Sequence, residues 1–512
     1  MKAFSISAVL PLVVANLASG VVQHDFHKVK GLHETPLSKR AGPVPASLQN
    51  EAVLYLVNVT IGHPPQSVQL QLGTASSDTW VTDSSAAYCQ RQACGGLSYD
   101  PGHSSSYNAL QTIFNITYVD GTGSSGVFFT DTLSIGGVSL TAVEMGLANF
   151  TTIGRGIMGL SFAVDEANCN DPASCSTYPT ILDQMVSQGR INSHAYSLWL
   201  NDADASTGSI LFGGLDTGKY HPPLLSLPIE KDYSGSYSNP AVNLTQITVT
   251  RSDVRSTINP SEPVTVVLEV GATLTLLSPE LFTQIQTLLN ATNDSAQGVY
   301  TADCSLRDED ATVDFHFGGS DGPTINIPFS ELLSPLPDDN DALCSLGIYP
   351  AGSASSYLFG DTFLRNAYVV YDLDNKLISL ANTMFDSATS NIIAIPAAGV
   401  SGIAAVVTAT ASTSGLAGTT SLTSSPAGTT SSTSSLAVST IVMGATTSSA
   451  TVSGSQTAVV TTSGAAGSTA ASSTAATTSS TSSACRADNT ADRLLLSVLS
   501  SVIIGYVLGF SW

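Results

Sequence analysis

Basic residues are scarce in this chain of 512 residues, which has 17 Lys and Arg against 39 Asp and Glu and a formal net charge of −22 at pH 7. So acidic a chain repels phosphate backbones, and the composition therefore excludes nucleic acid as a natural partner. Residues 387–485 contain no charged side chain at all, whereas residues 41–386 contain 10 basic and 35 acidic residues. The acidity belongs to one block, which predicts an acidic globular head followed by an uncharged tail.

Cysteine is also infrequent, with seven residues in the chain. Six of them fall into pairs that are close in sequence, and we predict three disulfides in an oxidising compartment, namely Cys89–Cys94, Cys169–Cys175 and Cys304–Cys344. Cys485 is left over. The count becomes even if Cys485 is removed with a C-terminal processing signal.

Motifs for cofactors and metals are missing or misleading. Gly121–Gly126 matches the dinucleotide pattern GxGxxG, and Gly318–Gly322 matches a serine-hydrolase elbow, but strand patterns follow both. We interpret both segments as hairpin turns. The histidines are scattered along the chain, so no metal site and no cofactor are predicted.

Long apolar runs occur only near the two ends of the chain. Residues 1–20 combine Lys2, an apolar run and the small residues Ala18-Ser19-Gly20, which is typical of a signal peptide, an ordinary buried helix being the alternative. Residues 21–40 end in Lys39-Arg40 and are interpreted as a pro-segment. Cleavage there would leave Ala41 as the mature N-terminus.

The C-terminal segment 485–512 has the pattern of a GPI-attachment signal. Small residues precede the polar spacer Arg486–Arg493, and nineteen uncharged, mostly apolar residues follow from Leu494 to Trp512. A transmembrane helix is the alternative, but no basic residues follow the apolar run. The candidate attachment sites are Ser482, Ser483, Ala484 and Asn489.

Residues 387–484 are rich in Ser, Thr and Ala and contain too little apolar surface to form a core. This composition favours an O-glycosylated stalk between the head and the membrane. N-glycosylation sequons, in contrast, lie only in the head, at Asn58, Asn115, Asn149, Asn243, Asn290 and Asn293.

The head, residues 41–386, is predicted to be all-β. Short alternating segments such as Tyr55–Val59, Gln69–Leu72 and Tyr368–Tyr371 are separated by Gly, Asp, Asn and Pro, and only Tyr178–Gln188 and Ser278–Leu289 have helical periodicity. Two landmarks occur twice in the same order. This internal duplication predicts two β lobes that face each other across a cleft; the paired landmarks are Val68–Val81 with Val264–Leu277, and Gly156–Leu160 with Tyr357–Asp361.

Several segments between Leu54 and Ala381 make the head resemble the pepsin-like aspartic proteases, and the overall organisation looks most like that of the GPI-anchored fungal yapsins. The resemblance implies a bilobal fold with a central cleft and a β-hairpin flap. It rests on Leu72–Val81, Tyr118–Ser124, Leu211–Tyr220, Val267–Thr273 and Phe359–Asp372.

Catalysis in this family requires two aspartates about 3 Å apart that share one proton and hold a water. The resemblance places Gly73 at the first aspartate position and Glu269 at the second. The first loop keeps Thr74 and Ser76, although its glycine is replaced by Ala75. The second loop keeps Gly271, but Val270 and Ala272 replace hydroxyl side chains that support the carboxylates.

Other parts of the cleft are retained. Tyr118 occupies the flap tyrosine position, and Trp80 occupies that of its tryptophan partner. Core packing is the alternative role for both aromatic residues. Asp78 and Asp83 follow the first loop, and Asp78 matches a structural position of the family rather than a catalytic one.

Three functional hypotheses follow: a cell-surface pseudoprotease that binds a peptide or protein in the cleft, an endopeptidase with weak chemistry based on Glu269, and a structural wall glycoprotein. We expect a monomer that enters the secretory pathway. Its GPI lipid would hold it at the outer face of the plasma membrane or deliver it to the cell wall.

Overall fold

The computed structural model describes residues 20–30, 53–91, 94–118, 121–169, 175–205, 207–294, 299–336, 342–352 and 357–397. Within these ranges the backbone is dominated by strands, as the alternating pattern predicts. The cleavage pair Lys39-Arg40, most of the predicted signal peptide, nearly all of the stalk and the GPI signal lie outside the described residues.

The first half of the chain contains strands β1 to β13. They are β1 Val22–Lys30, β2 Val53–Ile61, β3 Gln66–Gly73, β4 Trp80–Asp83, β5 Ser98–Tyr99, β6 Asn108–Thr117, β7 Gly123–Ile135, β8 Val138–Thr151, β9 Gly156–Gly159, β10 Ala195–Trp199, β11 Thr207–Phe212, β12 Gly214–Asp216 and β13 Tyr220–Pro228.

The second half contains strands β14 to β28. They are β14 Ala241–Arg251, β15 Val254–Ile258, β16 Val264–Leu268, β17 Thr275–Leu277, β18 Thr292–Asp294, β19 Val299–Asp303, β20 Ala311–Phe317, β21 Thr324–Pro328, β22 Leu333–Pro335, β23 Leu343–Leu346, β24 Ile348–Pro350, β25 Tyr357–Phe359, β26 Ala367–Asp372, β27 Leu377–Thr383 and β28 Ile392–Ala394.

Helices in the described ranges are short. The α-helices are α1 Ala87–Arg91, α2 Ile181–Ser187, α3 Pro279–Leu288, α4 Phe329–Leu332 and α5 Asp361–Leu364, and the 3₁₀ turns are Gly95–Leu97, Pro101–His103, Ala163–Asp165, Ala167–Cys169 and Cys304–Asp308. The two helices predicted from sequence are α2 and α3. Thr180 and Asp183 form a capping box at α2, and the Ser278 hydroxyl accepts the Leu281 amide at the start of α3. These described helices are too short and too polar to cross a bilayer.

The strands form one large sheet and three smaller ones. The large sheet has the order β13-β27-β26-β10-β11-β1-β2-β3-β9-β4-β8-β7-β6, with β5 beside β4, and an eight-stranded sheet has the order β21-β20-β14-β16-β25-β17-β24, with β15 beside β14. The two others are β18-β19-β23-β22 and β12-β28. Both segments interpreted as hairpin turns are confirmed, one between β6 and β7 and one between β20 and β21.

The predicted duplication corresponds to a repeated pairing. In the first half β3 runs parallel to β9, with Gly73 opposite Gly159. In the second half β16 runs parallel to β25, with Leu268 opposite Phe359. The strand before each cleft loop is therefore supported in the same way, and the loops after β3 and β16 meet at the centre of the molecule.

Described strands lie within two segments that were predicted to flank the head. Residues 22–30, assigned to the removable pro-segment, form β1, which pairs with β11 on one side and β2 on the other. Phe26 of β1 is fully buried and packs edge-on against Tyr55. At the other end the fold continues beyond residue 386, because β28 pairs with β12 and Ile395 is fully buried.

All three predicted disulfides are formed, Cys89–Cys94, Cys169–Cys175 and Cys304–Cys344. The six sequon asparagines all have accessible side chains, with Asn243 half-buried and the other five exposed. Their glycosylation stays a prediction.

Candidate active site

Two loops form the floor of the site. The first follows β3, which ends at Gly73, and the second begins at Glu269 directly after β16. Backbone hydrogen bonds hold each loop to the neighbouring strand, with Leu160 N donating to Gly73 O at 2.9 Å and Glu269 N donating to Phe359 O at 3.1 Å. These bonds make the loops rigid supports for whatever side chains they present.

The Glu269 carboxylate reaches across both loops. Its Oε2 accepts the Ala75 backbone N–H of the first loop, and its Oε1 accepts the Gly271 N–H of its own loop at 2.5 Å. The Thr74 hydroxyl lies 3.3 Å from Oε2. One carboxylate therefore satisfies an amide from each loop, and the extra methylene of glutamate provides the reach.

Gly73 contributes no carboxylate to this centre. A Cβ atom placed on Gly73 would lie 3.1 Å from Ile157 Cγ2, 3.6 Å from Ser76 Cβ and 4.0 Å from Glu269 Oε1. The first two neighbours are already at or inside close contact distance, and the third is a carboxylate oxygen. The space for a second acid is therefore narrow, and one of its walls is negatively charged when Glu269 ionises.

Desolvation raises the pKa of the Glu269 carboxyl to about 7, although the hydrogen bonds from Ala75, Gly271 and Thr74 act in the opposite direction. The residue itself is half-buried at the loop surface. In acidic solution this carboxyl is therefore protonated. It lacks the neighbouring acid that, in a dyad, would split the two pKa values apart.

Thr74 keeps a cross-connection between the loops. Its hydroxyl donates to Leu268 O at 2.8 Å and accepts the Val270 N–H at 3.0 Å. The symmetry-related support is absent, because Val270 and Ala272 are buried residues without a hydroxyl. The first loop thus holds the second through the Thr74 hydroxyl, and the second holds the first through the Glu269 carboxylate.

The flap retains its aromatic pair. Trp80 Nε1 donates to the Tyr118 hydroxyl at 2.7 Å, and the Trp80 ring is fully buried beside Phe114. The Tyr118 backbone N–H bonds Thr122 O at 2.8 Å across the hairpin. Trp80 therefore belongs to a core cluster and also holds the flap tyrosine by a hydrogen bond, while a role of either residue in peptide binding stays a prediction.

Neither alternative aspartate faces the loop centre. Asp78 is fully buried and accepts the Tyr178 hydroxyl at 2.9 Å and the Ala167 N–H at 2.8 Å. Asp83 accepts the Ser85 N–H at 2.7 Å, within its own turn. All three hydrogen bonds are structural, and neither carboxylate contacts Glu269 or the loop amides that bind it.

Sequence reasoning missed two further acids behind the first loop. Burial raises the pKa of Asp165 to about 8 and that of Glu166 to about 8, and the nearby charge of Glu269 contributes to the Asp165 shift. Glu166 accepts the Tyr178 N–H at 2.8 Å, and its Oε1 is buried without a hydrogen-bond partner. The signal in the sequence is an Asp-Glu pair a few residues after the Gly156–Leu160 landmark.

Within the described ranges, no three His, Cys, Asp or Glu side chains are grouped so that they could hold a metal ion. The most polar histidine site is an ion-pair cluster, since His194 contacts Asp183 at 3.0 Å and Asp374 at 2.8 Å.

The chain is similar to known proteins of one family. The family model "Eukaryotic aspartyl protease" matches residues 54–383. A "probable aspartic-type endopeptidase" of Aspergillus oryzae is 39% identical over 366 residues, which cover 70% of this chain and 74% of that protein. The "secreted aspartic protease 8" of Candida albicans is 35% identical over 363 residues, 69% of this chain and 82% of the relative.

Among solved structures, an aspartic proteinase from Irpex lacteus superposes with a TM-score of 0.54 at 23% identity, covering 73% of this chain and 99% of that one. This similarity confirms the predicted bilobal, mostly β fold. The family match over 54–383 and the identities above 30% go further. The chain therefore belongs to the eukaryotic aspartyl protease family, as a pepsin-like homologue of the secreted fungal type.

Proposed function

We propose that this protein is a catalytically impaired, GPI-anchored member of its family that binds a peptide or protein in the cleft at the cell surface. One observation carries the proposal: a single carboxylate, that of Glu269, closes on amides of both loops, and Gly73 offers no second acid. Hydrolysis by the family's chemistry needs an ionised and a protonated carboxyl on either side of one water.

The binding half of the site supports the second part of the proposal. The described strands of the flap hairpin, β6 and β7, pair as far as Thr117 and Gly123, and Trp80 donates a hydrogen bond to Tyr118, the residue that directly follows β6. A hairpin over a cleft can pair with an extended peptide through backbone hydrogen bonds, which require no catalytic group. Binding without turnover is the expected behaviour.

The test is a peptide-cleavage assay between about pH 3 and pH 7, with a hydroxyl-bearing peptidomimetic inhibitor of aspartic proteases as the binding probe. We expect saturable binding of the inhibitor or of a peptide library without cleavage. Robust, inhibitor-sensitive cleavage would refute the proposal. If neither binding nor cleavage is observed, the remaining hypothesis is a wall glycoprotein whose head is only a stable module.

A second candidate function is slow endopeptidase activity based on Glu269. It is favoured by the raised pKa of this carboxyl, about 7, because a general acid or base works best when its pKa lies near the working pH. Glu269→Gln distinguishes the two functions. Any cleavage that persists in this variant does not come from the site, whereas cleavage that disappears while inhibitor binding remains identifies Glu269 as its source.

The anchor is a separate part of the proposal, because residues 398–512 lie outside the described ranges. Release of the protein from intact cells by a phosphatidylinositol-specific phospholipase would support a GPI lipid. Retention through this treatment, followed by release with wall-digesting glucanase, would place the protein in the wall instead.

A further inference from the structure

The outer face of the flap sheet exposes large apolar side chains. Ile113 of β6 is 73% exposed and Phe150 of β8 is 61% exposed. The opposite face of the same strands is core, since Phe114, Ile116 and Phe128 are buried beside Trp80. Exposed apolar groups of this size on a secreted protein call for something that covers them.

The strand register brings a sequon asparagine between these side chains. Asn115 pairs with Ser125, which in turn pairs with Phe150, so these three residues form one row across β6, β7 and β8. At a strand spacing of about 4.8 Å, Phe150 lies about 10 Å from Asn115. Ile113 is two residues before Asn115 on the same face, opposite the half-buried Val127.

A second sequon lies at the far edge of this face. Asn149 is an extra residue in the β7–β8 ladder, because Ser125 pairs with Phe150 while Gly126 pairs with Ala148. Asn149 is exposed and adjacent to Phe150. Two of the six sequons therefore flank one apolar patch, which we define as Ile113, Val127 and Phe150.

The patch is also without charge. Segments 108–117, 123–130 and 145–151 contain no Asp, Glu, Lys or Arg. A protein partner would find no charged side chain here, and charge complementarity is what gives many protein interfaces their specificity. Sugars have an apolar face of C–H groups and a polar rim of hydroxyls, which suits an uncharged patch edged by Ser and Thr.

We propose that an N-linked glycan on Asn115 lies over the patch and covers it, with the glycan of Asn149 closing its far edge. The oligosaccharide comes from a lipid-linked diphosphate donor. A bond forms between its C1 and Asn115 Nδ2 while the C1–O bond to the diphosphate breaks, and the displaced amide proton passes to solvent. The two proximal sugars span roughly two strand spacings, which brings Phe150 within their reach.

The cover has a consequence for the flap. Asn115 is three residues before Tyr118, and the glycan would lie on the face opposite the buried cluster of Phe114, Ile116 and Phe128. The outer surface of the flap sheet would then present sugar to the cell wall instead of apolar side chains.

The test uses the full-length glycosylated protein secreted by a fungal host. Asn115→Gln and Thr117→Ala each destroy the sequon by a different substitution, and Asn293→Gln removes the sequon on β18 as a matched control. Occupancy is read by mass spectrometry of glycopeptides, and patch exposure by fluorescence of an apolar dye at neutral pH. We expect full occupancy of Asn115 and a several-fold rise in dye fluorescence in both sequon variants but not in the control.

Two further measurements separate exposure from misfolding. Enzymatic removal of N-glycans from the folded wild type should raise dye binding in the same way, and Ile113→Ser with Phe150→Ser should abolish the rise in the Asn115→Gln background. The proposal fails if Asn115 is unmodified, or if deglycosylation changes dye binding no more than the control does. It also fails if the occupied wild-type protein already binds the dye or self-associates through this face.

Discussion

Gly73→Asp is the substitution that most directly examines the centre of the site. The new Cβ would lie 3.1 Å from Ile157 Cγ2 and 4.0 Å from Glu269 Oε1. The first contact requires a shift of a few tenths of an ångström by Ile157, which is 4% exposed. The second places two carboxyl groups side by side above the same pair of loop amides.

The electrostatic cost can be worked from that separation. Two unit charges about 4 Å apart repel by about 4 kcal/mol at an effective dielectric constant of 20, which corresponds to about 3 pKa units. Glu269 already has a pKa of about 7, so the pair would retain one proton well above neutral pH. We expect the variant to be destabilised at pH 4 only by the steric contact with Ile157, and to be clearly less stable than that at pH 8.

The assay is thermal unfolding between pH 4 and pH 8 for Gly73→Asp beside Gly73→Asn, which has nearly the same shape without the charge. The asparagine variant should show the steric cost at every pH, so the difference between the two variants isolates the repulsion. Parallel pH profiles for the two variants would refute the electrostatic reasoning.

Cleavage gives the second readout. Glu269 still closes on the Ala75 amide in Gly73→Asp, so we expect no inhibitor-sensitive cleavage from this single change. Adding Glu269→Asp shortens the acid, releases that amide to the new carboxylate and should produce measurable turnover, further improved by Val270→Thr and Ala272→Thr. Efficient cleavage by Gly73→Asp alone would contradict the bridging role assigned to Glu269.

Three other outcomes follow from the same contacts. Tyr118→Phe leaves the buried indole N–H of Trp80 without an acceptor, which should cost about 1–3 kcal/mol of unfolding free energy. The variant should also bind the inhibitor more weakly in a titration. An unchanged affinity would show that this hydrogen bond does not contribute to binding in the cleft. Glu166→Gln removes an acid whose pKa in the folded protein is about 8. Because ionisation of that acid opposes folding as the pH rises from about 4.5 to 8, the free energy of unfolding of the variant should match that of wild type at pH 4. In chemical denaturation at pH 9 it should exceed that of wild type by up to about 5 kcal/mol. His194→Gln should have the opposite pH dependence of stability, because Asp183 and Asp374 raise the pKa of His194 to about 9. The loss of unfolding free energy should be full below pH 6.5 and disappear as the pH rises through 9. A loss that persists at pH 10 would contradict the ion-pair explanation.

Much of the fold could be predicted from local pattern. Strands such as β2 and β26 have strongly apolar residues between Gly and Asp turns, and both sheet-flanking helices begin at recognisable caps. The two hairpins that imitate ligand-binding motifs were separable for the same reason, since strand patterns follow them. Patterns within a few neighbouring residues were enough to predict these strands, turns and helix starts, because neighbouring residues determine them.

The chemistry of the site was less accessible. The resemblance to the family predicted Gly73 and Glu269 at the positions of the two acids, but the contact of Glu269 with both loops depends on a distance between segments almost 200 residues apart. Glu166 was missed because its burial comes from long-range packing against Tyr178. The pairing of β1 with β11 was not predicted, because it joins residues as far apart in the sequence as Val22 and Phe212.

The position of β1 affects the order in which this chain folds. β1 comes first in the sequence, yet Val22 pairs with Phe212, and no second edge exists for it until β11 has been synthesised. Closing so long a loop is entropically costly, and contacts of such high separation slow folding. A chain denatured after loss of residues 21–40 would have to close β2 against β11 without the strand that joins them. We therefore expect the folding rate with residues 21–40 in place to differ from the refolding rate without them. A protein that has lost this segment would remain folded because it unfolds slowly.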